Sequence, residues 1–268
     1  MRPVLFNLFG IPINTYGTML AIAMFACYFL ARRTFRQAGL KLTDTQIMDI
    51  CVLSVVSGVV GSRVLYVLQN ISSFGSFFDL FKLWEGGLSF HGGLMGGTIA
   101  MVIYLKKKRI PVLRAGDAII PCVLIGLSWG RIGCFMNGCC FGKVTTVPWA
   151  VQFPPDSPAF YKHQNLKLLA TDASSSLAVH PAQFYATVLA VLTVLILLWL
   201  QGKKKPDGTV LTASALIYGI VRFVLEFFRD DDVTVAAGLT QSQFLSMGIF
   251  AAGVVLLAVL SRKTEASP

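Results

Sequence analysis

AGDAIIPCVLIGLSWGRIGCFMNGCCFG, residues 115–142, opens with 21 mostly apolar or small positions, Ala115 to Phe135, whose only charges are Asp117 and Arg131, and gathers three cysteines from Cys134 onward. A bilayer core asks for about 20 mostly apolar residues per helical crossing, so the first part of this stretch is long enough to span and too apolar for a water-facing helix. The rest of the chain agrees. Of its 268 residues 55% are hydrophobic and only 13% charged, with twenty Phe and a mean hydropathy of +0.68, far from ordinary soluble usage. The composition predicts an all-α polytopic membrane protein.

Seven stretches reach spanning length: about Tyr16 to Leu30, Gln46 to Leu68, Gly92 to Leu105, Ala115 to Phe135, Pro181 to Leu200, Gly208 to Phe227 and Gln243 to Leu260. The third is short and rich in glycine, so its start is expected upstream. The first ends in Arg32, Arg33 and Arg36 with no small-residue cleavage site, which predicts a retained helix rather than a signal peptide. Basic residues collect after the odd-numbered spans. They are Arg32, Arg33, Arg36 and Lys41, then Lys106, Lys107, Lys108, Arg109 and Arg114, then Lys203, Lys204 and Lys205, and last Arg262 and Lys263. Short cytoplasmic loops accumulate Lys and Arg, so the N-terminus is expected outside and the C-terminus in the cytoplasm. This distribution accounts for most of the net charge of +10 and excludes nucleic-acid binding, which needs basic residues gathered on one face.

No linker, low-complexity tract or internal repeat interrupts the chain, so residues 1–268 are expected to form a single integral-membrane domain. The lack of repeated halves counts against a secondary transporter. The segment from Ile71 to Phe90 is expected to connect spans, and the longer one from Asn137 to Val179 to form a small extracytoplasmic cap.

Arg2, Lys82, Lys143, Lys162 and Lys167 fall in outward segments, which leaves Arg63, Arg131, Arg222 and Arg229 in or at the edge of spans. An arginine at the bilayer centre costs roughly 2.5–3.5 kcal/mol on insertion scales, so buried ones face polar cavities and mark sites for anions. Any one of the four alone is as well explained by snorkelling to headgroups. In RFVLEFFR, residues 222–229, Arg222, Glu226 and Arg229 fall on one helical face, where Glu226 can fix a guanidinium. A plain helix-stabilising pair is the alternative, and the cost of facing lipid favours a cavity. His91 stands among glycines that leave backbone amides free, in a chemistry able to titrate near neutral pH.

These residues carry a resemblance to the bacterial prolipoprotein diacylglyceryl transferase family. The likeness runs through TYG at 15–17, GSRVLY at 61–66, GGLSFHGGLMGG at 86–97, GRIGCFMNGCCFG at 130–142, HPAQFY at 180–185 and RFVLEFFR at 222–229. It implies seven helices around a lipid cavity and transfer of the diacylglyceryl group of phosphatidylglycerol to the lipobox cysteine of a preprolipoprotein, releasing glycerol phosphate. His91, Arg131, Arg222 and Glu226 are the implied catalytic residues. Arg131, Tyr16, Arg63, Asn137, Gly142 and Arg229 are the implied substrate contacts. The partners are then phosphatidylglycerol, preprolipoproteins and the lipid bilayer of the bacterial inner membrane, and no metal or cofactor is required.

The family signature is similar to Gly-Arg-x-Gly-Asn-Phe-x-Asn-x-Glu-x-x-Gly. Gly130, Arg131, Gly133, Phe135, Asn137 and Gly142 match it, while Cys134 replaces its first asparagine and Cys139 its glutamate. The departures motivate two alternatives, a paralogue with the same lipid donor and another acceptor, and a membrane thiol oxidoreductase using Cys134, Cys139 and Cys140. Cysteine spacing fits zinc poorly. A disulfide from Cys134 to Cys139 or Cys140, and three buried reduced thiols, remain equal alternatives. Cys27, Cys51 and Cys122 are expected to be packing residues.

Overall fold

The computed structural model describes residues 4–8, 11–71, 87–170, 172–203, 205–230 and 234–265. Arg2, Lys82, Lys204 and most of the connection between Ile71 and Phe90 lie outside the described residues. Helices dominate: α1 (Thr15–Gln37), α2 (Asp44–Gln69), α3 (Phe90–Lys107), α4 (Val112–Asn137), α5 (Pro158–Asn165), α6 (Ala182–Gln201), α7 (Thr209–Glu226) and α8 (Gln241–Glu265). Two short hairpins, β1 (Val4–Leu8) with β2 (Ile11–Asn14) and β3 (Thr234–Ala236) with β4 (Leu239–Thr240), complete the described elements.

Six of these helices, all but α3 and α5, are long and apolar enough to cross a membrane. Their outward side chains support that use. Phe25, Phe29, Leu68, Trp199 and Val255 are all more than 60% exposed, an apolar surface that water would penalise and lipid would cover. Each of the seven expected spans falls on a helix, although the helix under the third, α3, is not among the six, and the bounds agree to within a few residues except at the last, where α8 runs five residues past Leu260, and at the first. There α1 continues to Gln37 and carries Arg32, Arg33 and Arg36 on its last turns, because a helix already nucleated in an apolar segment extends into polar sequence without a new nucleation cost.

The chain divides into two compact units, Ala31–Ala115 and Met1–Leu30 with Gly116–Pro268. In the first, α2 packs on α3 through small residues. A Cβ on Gly61 would lie 2.9 Å from Gly96 Cα, and one on Gly93 would lie 2.6 Å from Ser62 Oγ. The glycines thus let the two backbones touch, the usual basis of helix pairing in lipid. A capping box of Thr43 and Gln46 starts α2.

In the second unit a buried cluster of Leu124, Val194, Leu197 and Val210 joins α4, α6 and α7. Gly208, with φ +96°, precedes α7. Both carboxylate oxygens of Asp117 on α4 then accept from this helix start, Gly208 N–H at 2.7 Å and Leu211 N–H at 2.8 Å. One helix thereby caps another, and the anion meets the positive end of the α7 dipole. Asp117→Ala strips one buried and one half-buried amide of their acceptor, at about 1–3 kcal/mol for the buried one and less for the other. The variant is expected to melt well below wild type in detergent, and an unchanged melting temperature would show the cap to be dispensable.

In the segment expected as a cap, the described residues 138–170 and 172–181 fold back on themselves. Val151 and Val179 exchange both backbone hydrogen bonds at 3.0 Å, and Gly142 N–H donates to His180 O at 2.9 Å. Phe141, Phe153, Ala159 and Val179 form its core. The short helix α5, absent from the sequence expectation, starts at Ser157, whose Oγ accepts Phe160 N–H at 3.2 Å.

Candidate active site

Glu226 ends α7, and its side chain is 1% exposed. Oε2 receives Arg222 Nη1 at 2.5 Å, one helical turn back, and lies 3.7 Å from Arg229 Nε. Oε1 accepts from Thr240 Oγ1 at 2.7 Å. Arg222 Nη2 donates to Ser242 Oγ at 2.8 Å. Arg229 stands beyond the end of α7 rather than on it, because its amide donates to Glu226 O in a tighter closing turn. The i, i+3 relation, and with it the ion pair expected from sequence, survives that turn.

Thr240 and Ser242 arrive through the β3–β4 hairpin. Its two-residue turn, Ala237 at φ 50° and Gly238 at φ 72°, has the left-handed pair that matches strand twist. Thr240 then heads α8 in a capping box, its N–H donating to Gln243 Oε1 at 2.9 Å and its Oγ1 accepting Gln243 N–H at 3.3 Å. One hydroxyl therefore starts a helix and orients a carboxylate. Periodicity within RFVLEFFR could not reveal this partner. The capping pattern Thr240-Gln-Ser-Gln243 was the available signal.

A cavity of about 30 Å³ lies beside this network, lined by Arg131, Arg222, Arg229, Cys140, Gln183 and Tyr218 among others. Three arginines share its wall. Arg222 and Arg229 spend their charge on Glu226, whereas Arg131 makes no hydrogen bond or ion pair with another described residue. The site therefore holds one guanidinium that no described carboxylate engages, facing a space large enough for water or for an oxygen-bearing group. Gln183 is 1% exposed. Its Nε2 donates to Cys139 O at 2.7 Å, and its Oε1 is buried with no partner among the described residues.

With that arrangement in view, the sequence profile described as prolipoprotein diacylglyceryl transferase matches residues 3–259. The chain belongs to this family. It is similar to the phosphatidylglycerol--prolipoprotein diacylglyceryl transferase of Clostridium tetani, 31% identical over 97% of this chain and 98% of that one. The protein of the same name from Geobacter sulfurreducens is 33% identical over 97% and 96% of the two chains. That of Bordetella avium is 33% identical over 99% and 97%.

Of the residues expected from the resemblance, Arg131, Arg222 and Arg229 line the cavity, and Glu226 engages the last two. Tyr16 packs against Gly133, where an added Cβ would lie 2.8 Å from the ring. Asn137 closes α4 and is exposed. Gly142 is fixed by close approach, since a Cβ there would lie 2.6 Å from His180 Cβ and 2.8 Å from His180 O. It also pairs with Arg229 across an isolated bridge, and so it sets where Arg229 stands rather than lining the cavity. Arg63 and His91 belong to the other compact unit. Arg63 is 8% exposed, donates to Gly87 O at 3.1 Å and stands 5.7 Å from the Tyr66 ring centroid. His91, half-buried, is on the first turn of α3.

Sequence reasoning missed Gln183, Thr240 and Ser242, and it missed what the cap does for Arg229. Lys162 of α5 clamps Asp230, next to Arg229, through the carboxylate at 2.9 Å and the carbonyl at 2.8 Å. Lys143 N–H donates to Phe228 O. None of the six cysteines, all of them described residues, is joined in a disulfide. The Cys140 thiol is held below the ordinary thiol range by hydrogen bonds from Cys134 and Cys139, with Arg131 and Arg229 adding favourable charge.

His163 is buried in the cap, with Nδ1 accepting Leu177 N–H at 3.2 Å. Burial pushes its pKa below the usual imidazole value, Asp230 opposes the shift and Lys162 adds to it. An opened cap therefore takes up a proton that the closed cap refuses. Cap stability is full above the ordinary imidazole value near 6.5 and declines as pH falls below it. Amide exchange over residues 151–179, corrected for intrinsic rate, is expected to quicken between neutral pH and about pH 5, and His163→Gln to flatten that dependence. Identical pH profiles for the two proteins would rule the imidazole out.

Proposed function

We propose that this protein transfers the diacylglyceryl group of phosphatidylglycerol to the lipobox cysteine thiol of preprolipoproteins, releasing glycerol phosphate. The observation that carries the proposal is the half-buried Arg131, engaged by no described carboxylate and facing a cavity, within a family of diacylglyceryl transferases. The reaction develops negative charge on a departing phosphate, and a fixed guanidinium stabilises that charge most where water is scarce. Arg131 takes the phosphate oxygens. Glu226 holds Arg222, and through its second contact Arg229, so that neither has to reorganise as charge develops.

The remaining assignments follow the resemblance to the family. His91 receives the acceptor proton, an acid–base task suited to imidazole. Tyr16, Arg63, Asn137, Gly142 and Arg229 contact or position the lipid headgroup. Residues 1–268 work as one integral-membrane domain of seven crossings, with α3 as the seventh. The clusters of Lys and Arg at the ends of α1, α3, α6 and α8 support an external N-terminus, an extracytoplasmic cap and residence in the bacterial inner membrane.

The test is direct. Purified protein in detergent is given phosphatidylglycerol and a synthetic lipobox peptide, and the peptide is weighed by mass spectrometry. A diacylglyceryl increment on the cysteine peptide, absent from its serine counterpart, is the expected result. A well-folded enzyme that leaves the cysteine peptide unmodified would overturn the proposed acceptor.

A further inference from the structure

We infer that Cys134, Cys139 and Cys140 form a site for a thiophilic divalent metal ion of the zinc class, with an open fourth position for the acceptor thiol. The inference extends the transfer activity proposed above and rests on it for the identity of that thiol.

The three sulfurs lie within 4.8 Å of one another. Zinc–thiolate bonds of about 2.3 Å place ligand sulfurs roughly 3.8–4.0 Å apart in tetrahedral or trigonal geometry, so side-chain rotation by less than about 1 Å completes the set. The spacing Cys-x4-Cys-Cys counts against zinc in a linear reading, but the end of α4 changes its meaning. Gly138 N–H donates to Phe135 O, and Cys139 N–H donates to Cys134 O, both at 3.1 Å, with Gly138 at φ 74°. This is the Schellman closure, in which the side chain two residues past the cap comes back over the one three positions before it. Those two positions are Cys139 and Cys134, where other helices place an apolar pair.

Cys140 follows at φ 61°, a left-handed conformation that a non-glycine residue adopts at a local cost. It adds the third sulfur to the pair. Gln183 Nε2, donating to Cys139 O at 2.7 Å, fixes the turn. Three thiolates around a divalent ion carry one net negative charge. Cys140 lines the same cavity as Arg131, Arg222 and Arg229, and their excess positive charge suits such a centre.

The group contains three candidate ligands among the described residues and no fourth. A three-ligand centre is the arrangement that leaves a position for water or substrate, whereas structural zinc is closed by four. A thiol entering that position is held as thiolate, its proton passing to the base of the reaction. Its sulfur lone pair forms the S–C bond to the donor's glycerol carbon. The C–O bond to phosphate breaks with its electron pair on glycerol phosphate. The product thioether is neutral and a weaker ligand, and the metal keeps its oxidation state.

The experiment uses the full chain, reduced and in detergent, with Zn²⁺ alone and with Co²⁺ as its spectroscopic substitute. About one tightly held Zn²⁺ per chain is expected, together with a tetrahedral Co²⁺ spectrum rich in thiolate charge transfer. Both should be lost in the Cys134→Ser/Cys139→Ser/Cys140→Ser variant and weakened in C140S. A lipobox cysteine peptide should raise the charge-transfer intensity by about a third, as three sulfur ligands become four, and its serine counterpart should not. Zinc content no higher than in a folded triple variant would overturn the site. Equal responses to the two peptides would overturn its role in holding the acceptor. Neither readout consumes phosphatidylglycerol, so failure here is distinct from failure to transfer lipid, which the mass measurement reports separately.

Discussion

Arg131→Ala is expected to lower the rate of lipid transfer by about 10²- to 10³-fold, the usual effect of removing one fixed donor from a developing oxyanion. The same substitution should leave stability within about 0.5 kcal/mol of wild type, because Arg131 makes no hydrogen bond or ion pair with another described residue and so breaks none when truncated. That combination distinguishes a group held for substrate from one held for the fold. Arg131→Lys supplies the second half of the test. Lysine restores the charge without the planar fork that grips two phosphate oxygens at once, so partial recovery is expected. Parallel assays of transfer and thermal melting decide the matter. Normal turnover by Arg131→Ala would remove the proposed phosphate site. Loss of activity with an equal loss of stability would make Arg131 structural.

Glu226→Ala should fail differently. The carboxylate is 1% exposed and stands between two guanidinium groups whose side chains are only 15% and 14% exposed. Deleting one member of such a buried set leaves the others uncompensated and typically costs about 3–5 kcal/mol. Transfer should fall to background and the melting temperature should drop sharply, with Glu226→Gln intermediate because it keeps shape and hydrogen bonds but not charge. Removing Arg222 should also destabilise, since it leaves Glu226 with Arg229 at 3.7 Å as its remaining counter-charge. From the sequence alone, Arg222→Ala is expected to act on transfer with the fold intact. The near-complete burial of Glu226 changes that expectation. A Glu226→Ala protein that melts with wild type would show the charges to be solvated after all.

The pairing of Arg222 with Glu226 was legible because an i, i+4 relation is fixed by helix geometry once the helix is known. Its extension to Arg229 was legible in outcome and wrong in detail, since α7 stops at Glu226 and a tighter turn carries the third charge. The partners that finish the carboxylate, Thr240 through its hydroxyl and Ser242 through Arg222, were not legible. They depend on how a hairpin whose turn residues are Ala237 and Gly238 folds back onto the end of α7. Gln183 was visible only as part of a motif, and its buried, half-satisfied amide is a property of packing.

The amino-acid sequence by itself settles the membrane character of this protein, the position of its long helices to within a few residues, and the face on which Arg222 and Glu226 meet. All of these follow from hydrophobicity and helical period, quantities summed over neighbours along the chain. The folded molecule decides which groups from distant elements share one wall. It brings Arg131 of α4 beside Arg222 of α7, seats Asp117 on the start of α7, and turns Cys139 and Cys140 back over Cys134. Those juxtapositions rest on a few backbone turns, at Gly138, Cys140, Gly208 and Gly238. A small rotation at such a turn redirects everything after it, and no local sum over sequence contains that direction.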